Sequence, residues 1–233
     1  MRHHAITKRI PLLLFFALLS AALFAQTESD VPEPQMDAPW QLLVFPAGDA
    51  TATGTVNEFI ESGYIPVGIE IEQGESLTIL LVQSGGVEVK SWAIIDYDDW
   101  NSLEAEITGG IQDGYVPMDI SRFDERLGVL WVEAELPLEG WRISTSENSL
   151  EARTQVVNKF QTQGFTLWGI SEHEDLMWYL FIRQPGAPPA GAISRFSRDA
   201  GAIQQGIVRA NESGWVPSAI AGGEASTYIG FIR

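Results

Sequence analysis

The stretch Ile111–Ile120, IQDGYVPMDI, decides how this chain is built, because its pattern recurs at three other places. Each copy has a glycine, then an aromatic residue, and an isoleucine five positions after the aromatic one. The four glycines lie 51, 50 and 50 residues apart. A fixed period of this length is typical of a repeat architecture. The shared positions are Gly63, Gly114, Gly164, Gly214, Tyr64, Tyr115, Phe165, Trp215, Ile69, Ile120, Ile170 and Ile220.

The segment before each glycine has the apolar spacing of a helix. In the first copy, Ala52, Val56, Phe59 and Ile60 precede the glycine by eleven, seven, four and three positions. Such spacing places one apolar stripe on one helix face. The glycine then ends the helix, because it adopts the left-handed conformation without steric cost. We expect the aromatic residue that follows to pack back on the last helical turn.

Three strands complete each unit. The residues after the glycine alternate with period two, as in Ile65, Val67 and Ile69, and a polar turn leads to a closing strand. The closing strands are almost wholly apolar, as expected of strands covered on both faces: Leu77–Val82, Leu127–Val132, Leu176–Ile182 and Tyr228–Ile232. Short apolar segments open the units: Trp40–Phe45, Trp92–Tyr97, Trp141–Ser144 and Gly191–Phe196.

The predicted fold is an α/β (α+β) repeat protein of four strand–helix–strand–strand units. The units cover residues of about 40–84, 91–135, 140–184 and 190–233, in a single repeat domain spanning 40–233. One unit cannot bury its own apolar surface, so neighbouring units must cover each other. The chain ends at a repeat boundary, which favours a closed propeller-like ring. An open stack and two paired double-unit domains are the alternatives.

The N-terminus reads as a targeting segment. Residues 1–25 combine a basic start, an apolar run and a small residue for cleavage, which is the pattern of a secretory signal peptide. Residues 26–39 form an acidic, proline-containing linker. We therefore expect an exported, periplasmic or secreted protein without stable membrane insertion after cleavage, with an uncleaved anchor as the alternative. The chain has no cysteine, which excludes disulfides and thiolate chemistry.

Two of the copies also carry a family resemblance. Gly63–Ile69, GYIPVGI, and Gly114–Ile120, GYVPMDI, resemble the bacterial tandem-repeat domain that also forms the N-terminal part of fungal polyglycine hydrolases. Arg126–Trp131 is similar to the closing strand of that family. The resemblance implies units made of a helix, a Gly-Tyr-Arg-Pro-Val segment and a hairpin. The arginine of that segment is absent from every copy here, and the resemblance implies no catalytic residue in this chain.

Composition and motifs exclude several functions. The net charge of −17 repels phosphate backbones and anionic lipids, which argues against a nucleic-acid or membrane-surface partner. The sequence has no Gly-x-Ser-x-Gly motif, phosphate loop or dinucleotide fingerprint. His173, between Glu172 and Glu174, is expected to be an exposed turn residue, because no second histidine outside the leader could complete a site.

Departures from the repeat mark the candidate binding residues. Trp100, Trp168 and Trp178 are not required by the scaffold and could stack on a glycan or peptide. Asp96, Asp98 and Asp99 form the most suggestive acidic cluster, which could supply calcium ligands. The cluster lacks the glycine and the final carboxylate of a calcium-binding loop, so we favour a solvated strand end with a helix cap. We accordingly expect no cofactor, with calcium as the alternative.

The favoured function is a non-catalytic, exported repeat module that binds a protein or a cell-envelope polymer. Its basis is a regular scaffold without a convergent polar constellation. The alternative is a cell-wall or peptide hydrolase, or a hydrolase inhibitor, whose carboxylates gather at one rim. The acids considered for that rim are Asp96, Asp98, Asp119, Asp124 and Glu172. A purely structural role is the third possibility.

Overall fold

A computed structural model describes residues 38–72, 74–98, 100–123, 125–223 and 225–233, without the side chains of residues 100–102. The predicted signal peptide, residues 26–37 of the predicted linker, Asp99, Asp124 and the side chain of Trp100 lie outside this description. Among the residues that are described, no helix has the length and apolar character needed to cross a membrane.

Each unit has the predicted order of strand, helix, strand and strand. The first unit contains β1 (Trp40–Pro46), α1 (Ala52–Glu61), β2 (Tyr64–Glu72) and β3 (Ser76–Gln83). The second contains β4 (Val89–Tyr97), α2 (Trp100–Gln112), β5 (Tyr115–Phe123) and β6 (Arg126–Ala134). The third contains β7 (Gly140–Glu147), α3 (Leu150–Thr162), β8 (Thr166–His173) and β9 (Leu176–Arg183). The fourth contains β10 (Gly191–Phe196), α4 (Ala200–Glu212), β11 (Val216–Gly222) and β12 (Thr227–Ile232).

The strands of each unit form one antiparallel sheet of three, so the described part of the chain is mainly β-sheet with four helices. The last strand of a unit is always central, with the first and second strands on either side. In the first sheet, for example, Trp40 lies opposite Val82, which also lies opposite Ile65. The central position explains why the closing strands are almost wholly apolar.

The second strand of every unit contains a β-bulge. The register with the central strand shifts between Pro66 and Gly68, and the equivalent shift occurs in the other three units. The simple period-two alternation predicted for these strands is therefore wrong: residues 64–69 are buried at six consecutive positions. Because the bulge redirects the side chains and neighbouring units cover the strand, both of its faces are buried.

The predicted helix ends are confirmed. The four repeat glycines have φ values of 90°, 91°, 85° and 80°. After α3, the N–H of Gly164 donates to Gln161 O at 3.0 Å and the N–H of Phe165 donates to Phe160 O at 3.0 Å, which is a Schellman cap. The ring of Phe165 packs edge-on against Phe160, with centroids 6.1 Å apart, as predicted for the aromatic residue after the glycine.

One predicted turn is placed differently. The third hairpin turns at Glu174 and Asp175, whose φ values are 51° and 61°, rather than at Glu172–Glu174. Two consecutive residues with positive φ form the type I′ turn that best suits a twisted two-stranded hairpin. His173 is consequently the last residue of β8, and its Nε2 lies 3.9 Å from Glu174 Oε1.

The units pack on each other through their second strands. β2 contacts β5, β5 contacts β8, β8 contacts β11, and β11 contacts β2. The apolar clusters also cross unit boundaries: Leu180 and Ile182 of the third unit pack with the second unit, and Ile203 and Ile207 of the fourth pack with the first. Each unit thus contributes apolar surface to a neighbour, as the repeat pattern predicts.

Candidate functional site

The predicted aromatic residues lie against the core. Trp168 and Trp178 are both part-buried and both pack against the apolar cluster between the second and third units. The guanidinium carbon of Arg122 lies 5.7 Å from the centroid of the Trp178 ring. Trp178 also lines a cavity of about 190 Å³ with Asp98 and Arg122. Stacking of a glycan or peptide on these indoles stays a prediction.

The predicted acidic cluster is arranged around an arginine. Arg126 Nε donates to Asp98 Oδ1 at 2.8 Å, and its Nη1 lies 3.7 Å from Asp96 Oδ2. Partial burial raises the pKa of Asp96; Asp98 raises it further, and Arg126 opposes the shift. Within the described residues, no group of three or more histidine, aspartate or glutamate side chains is arranged to hold a metal ion.

Asp119 is the residue whose place differs most from the prediction. The hydrolase alternative predicts Asp119 at a rim, but its side chain is fully buried where the four units meet. Its Oδ1 accepts from the N–H of Ile120 at 2.8 Å and Ile170 at 2.9 Å. Its Oδ2 accepts from the N–H of Ile69 at 2.9 Å and Ile220 at 3.4 Å. The shared isoleucine of every unit therefore donates to this one carboxylate.

The environment of Asp119 has opposing effects on its ionisation. Burial raises its pKa well above the ordinary value, and the four N–H donors act against that shift. A carboxylate can accept four hydrogen bonds, whereas a protonated carboxyl group must also place a hydrogen among donors. The side chain thus acts as a central acceptor that joins the units.

Small residues occupy the equivalent position in the other units, where Gly68, Gly169 and Ala219 stand. A Cβ on Gly169 would lie 2.5 Å from Asp119 Oδ1 and 2.9 Å from Asp119 Cα. The small residues at this position in three units therefore leave room for the one larger side chain, that of Asp119, between the four second strands. A charged residue at a position otherwise held by glycine or alanine was the sequence signal that could have identified Asp119.

Two residues further along, hydroxyl groups connect the second strands. Ser121 Oγ accepts from the N–H of Ile71 at 2.9 Å, and Ser171 Oγ accepts from the N–H of Arg122 at 2.6 Å. Ala221 has no hydroxyl group at the corresponding position of the fourth unit. In addition to the bonds to Asp119, one such hydrogen bond joins the first unit to the second, and one joins the second unit to the third.

Acidic residues of the first and third units lie near the hairpin ends, beside Gly222 and Arg198 of the fourth unit. Glu70 lies over the backbone of Gly222, in the space that a Cβ there would occupy. Burial raises the pKa of Glu70 to about 7, with Glu172 adding to the shift and Arg198 opposing it. Arg198, before α4, also forms an ion pair with Glu72. Glu70 and Glu172 were missed as a pair because they belong to different units and different repeat positions.

A groove lies between α2 and β7. Its volume is about 840 Å³. The helix contributes Leu103, Glu104, Thr108, Ile111 and Gln112, and the opposite wall consists of residues 138–143. Trp141 and Ile143, on that wall, are part-buried and pack against the cluster between the second and third units.

The equivalent groove one unit later is nearly closed. The space between α3 and β10 has a volume of about 130 Å³. There a Cβ on Gly191 would lie 3.3 Å from Val157 Cγ1, so helix and strand are in contact. In β7 the residue equivalent to Gly191 is Trp141, because Trp141 lies opposite Ile182 and Gly191 lies opposite Ile232. A Cβ on Gly140, the neighbour of Trp141, would have no described heavy atom within 4 Å. Separation of helix from strand at one unit boundary therefore creates the groove.

Acidic residues dominate the surroundings of the groove. A second cavity of about 590 Å³ adjoins it, and both are lined by Ile111 and Leu138. The charged residues that line the two cavities are Glu104, Asp113, Glu133, Glu135, Glu139, Lys90 and Arg142. Lys90 pairs with Glu135 at 3.4 Å, and Arg142 Nη1 donates to the carbonyl of Trp141 at 2.7 Å. Lys90 is thus paired with an acid, whereas the partner of Arg142 is a neutral carbonyl group.

Sequence reasoning did not identify this groove. The sequence predicts an opening strand at Trp141 and no binding residue on the face of α2 that lines the groove. The groove depends on the distance between two units, which no single-unit pattern specifies. No protein-family model matches the chain, and no match is found among curated proteins.

Proposed function

We propose that this protein is a non-catalytic repeat module that binds a segment of another protein in the groove between α2 and β7. The observation that carries the proposal is the difference between two equivalent boundaries. The groove between the second and third units has a volume of about 840 Å³, and the space between the third and fourth units has a volume of about 130 Å³. The narrow space between α3 and β10 is enough to pack one unit on the next. The wide groove between α2 and β7 is not needed for that packing, so we place the binding site there.

The lining of the groove suits a protein ligand. Leu103, Ile111 and Leu138 offer apolar contacts, and Glu104 and Glu139 offer charge at the side. Binding sites commonly combine an apolar floor with a few polar groups that fix orientation. The apolar side chains and the strand backbone that line the groove suit contact with a peptide, and binding rather than catalysis is therefore proposed.

The scaffold around the groove is proposed to be a closed propeller-like ring. The contact of β11 with β2 supports closure, as do the hydrogen bonds from all four units to Asp119. A closed ring would fix the positions of the units, and the groove would then be preformed. Preformed sites bind with a smaller ordering cost than sites that must assemble around a ligand.

The location is proposed from the N-terminal pattern. A signal peptide at residues 1–25 and an acidic linker at 26–39 would deliver the repeat domain to the periplasm or the exterior. The partner would then be an exported or envelope protein. The resemblance to the tandem-repeat domain of polyglycine hydrolases agrees with a non-catalytic domain that acts together with other proteins.

Panning of the full-length chain against a displayed library of random peptides tests the proposal. Selected peptides should lose at least tenfold in affinity when Thr108→Arg places a long side chain in the groove. Asn158→Arg is the matched control, because Asn158 holds the equivalent exposed position on α3 and lines the narrow space. Equal binding to wild type and T108R would remove the groove from the proposal. Cleavage of the bound peptides, followed by mass spectrometry, would instead favour a hydrolase, and pelleting with peptidoglycan alone would favour a polymer ligand.

A further inference from the structure

The groove follows the edge of β7 rather than one face of it. Gly140, Trp141, Arg142 and Ile143 all line the cavity, although they are consecutive residues. Successive side chains of a strand point to opposite faces of its sheet. A cavity that touches four consecutive residues must therefore lie along the edge of the strand.

The edge of β7 that faces the groove is available for pairing. β7 pairs with β9 on one side, and no strand in the described part of the chain pairs with its other side. An edge strand carries unpaired N–H and C=O groups that can accept a further strand. Addition of an extended peptide to such an edge is an established mode of recognition, in which backbone bonds give affinity and side-chain pockets give specificity.

The dimensions suit a short extended segment. The wall formed by residues 138–143 corresponds to about 20 Å of extended chain, at about 3.3 Å per residue. One face of an added strand would meet α2, where Leu103 and Ile111 line the groove. Alternate residues of the ligand should accordingly be apolar.

Charge selects the other residues of the ligand. Glu104 and Glu139 line the groove, while Asp113 and Glu133 line the adjoining cavity. The charged side chains that line the two cavities are five acids and two bases, which give a net charge of 2 − 5 = −3. With a net charge of −17 over the whole chain, basic ligands are attracted and acidic ones are repelled.

We propose that the groove between α2 and β7 binds an extended basic segment of a partner protein, which adds as a strand to the free edge of β7. The segment carries apolar residues at alternate positions and lysine or arginine between them. This inference rests on the proposed function and specifies its ligand and its mode of binding.

Synthetic peptides test this mode directly. One probe alternates lysine and valine over ten residues, and a second alternates glutamate and valine. We expect the full-length chain to bind the lysine probe at least tenfold more tightly than the glutamate probe in isothermal titration calorimetry. T108R should weaken that binding at least tenfold, and N158R should leave it within twofold.

Methylation of the peptide backbone separates strand addition from simple occupation of the groove. In an added strand, every second N–H of the ligand points to β7 and the others point away. Two further lysine probes therefore carry N-methyl groups at odd or at even positions, and one of the two should lose at least tenfold in affinity while the other binds almost as well as the parent.

Three outcomes would overturn the inference. Equal effects of the two methylation patterns, with T108R still weakening binding, would exclude strand addition and leave the proposed groove function intact. Preference for the glutamate probe would exclude the basic ligand. Binding of the lysine probe that is unaffected by T108R would place it elsewhere, and the library selection would then decide independently whether the groove binds peptides.

Discussion

The carboxylate of Asp119 accepts a hydrogen bond from the N–H of Ile170, 51 residues further along the chain, at 2.9 Å. The two residues belong to different units and hold neighbouring repeat positions. The same carboxylate also accepts from the isoleucines of the other units. One side chain thus joins backbone groups that four separate hairpins would otherwise leave buried without a partner.

Replacement of Asp119 by asparagine should destabilise the protein. Asparagine has the same shape, but its amide nitrogen is a donor and would face two of the four N–H groups. Leaving two buried donors without an acceptor costs about 2–6 kcal/mol, at about 1–3 kcal/mol for each group. Urea unfolding followed by circular dichroism measures the loss.

Asp113→Asn is the control for the Asp119 variant, because Asp113 is exposed at the end of α2. Its unfolding free energy should stay within about 0.5 kcal/mol of wild type. An Asp119→Asn protein as stable as wild type would mean that the carboxylate does not hold the four strands together.

Substitution of Gly169 by alanine tests the close packing of Gly169 against Asp119. The added methyl group would meet Oδ1 and Cα of Asp119, so strands must separate, at a cost of about 1–3 kcal/mol. The double variant Asp119→Gly with Gly169→Ala should lose less unfolding free energy than the sum of the two single variants. The reason is that Asp119→Gly removes the clash with Oδ1 and leaves only the clash with Cα. Strict additivity in urea unfolding would contradict this packing. Gly140→Ala, whose methyl group would meet open space, is the matched control.

The unit structure was predictable from sequence, whereas the centre and the groove were not. A helix ends at Gly63 or Gly164 because φ there is positive, and that requirement is local. The role of Asp119 depends instead on four chain segments about 50 residues apart meeting at one place. The groove depends on whether a helix touches the next unit, as Val157 approaches Gly191. Such distances arise from packing between units, so the period of the repeat carries no information about them.

Two adjacent glycines in α2 should respond in opposite directions to alanine. A Cβ on Gly110 would lie 2.8 Å from Cη2 of Trp131, a ring that is 3 % exposed on the central strand β6. We expect Gly110→Ala to destabilise by about 1–3 kcal/mol, because the buried ring has little room to move. Gly110 holds the α2 position that Phe59 holds in α1, and the Trp131 ring fills the space that a side chain would need.

Gly109→Ala is the internal control for that helix. A Cβ on Gly109 would meet no described heavy atom within 4 Å, so alanine should stabilise by about 0.5–1 kcal/mol through its higher helix propensity. Thermal unfolding of both variants measures the contrast. Stabilisation by both substitutions would show that Trp131 does not pack on α2 as described.

The stability of the protein should depend on pH through Glu70. Its pKa is raised to about 7 from an ordinary value of 4.5, chiefly by burial. The folded protein therefore holds a proton on Glu70 that the unfolded chain releases between pH 4.5 and 7. Protonation of Glu70 therefore contributes fully to the free energy of unfolding below about pH 4.5. This contribution is lost as the pH rises through about 7.

Glu70→Gln removes this titration and retains the shape of the side chain. Between pH 5 and 8, the wild-type protein should lose about 1–3 kcal/mol of unfolding free energy relative to Glu70→Gln. Groups common to both proteins, including Asp119, cancel in the difference, so the comparison isolates Glu70. Glu75→Gln, at an exposed position in the adjacent turn, is the charge control and should follow the wild-type curve. Parallel curves for wild type and Glu70→Gln in urea titrations at each pH would mean that Glu70 is not buried over Gly222. A wild-type curve that rises relative to the variant would mean that Arg198 outweighs burial and holds Glu70 ionised.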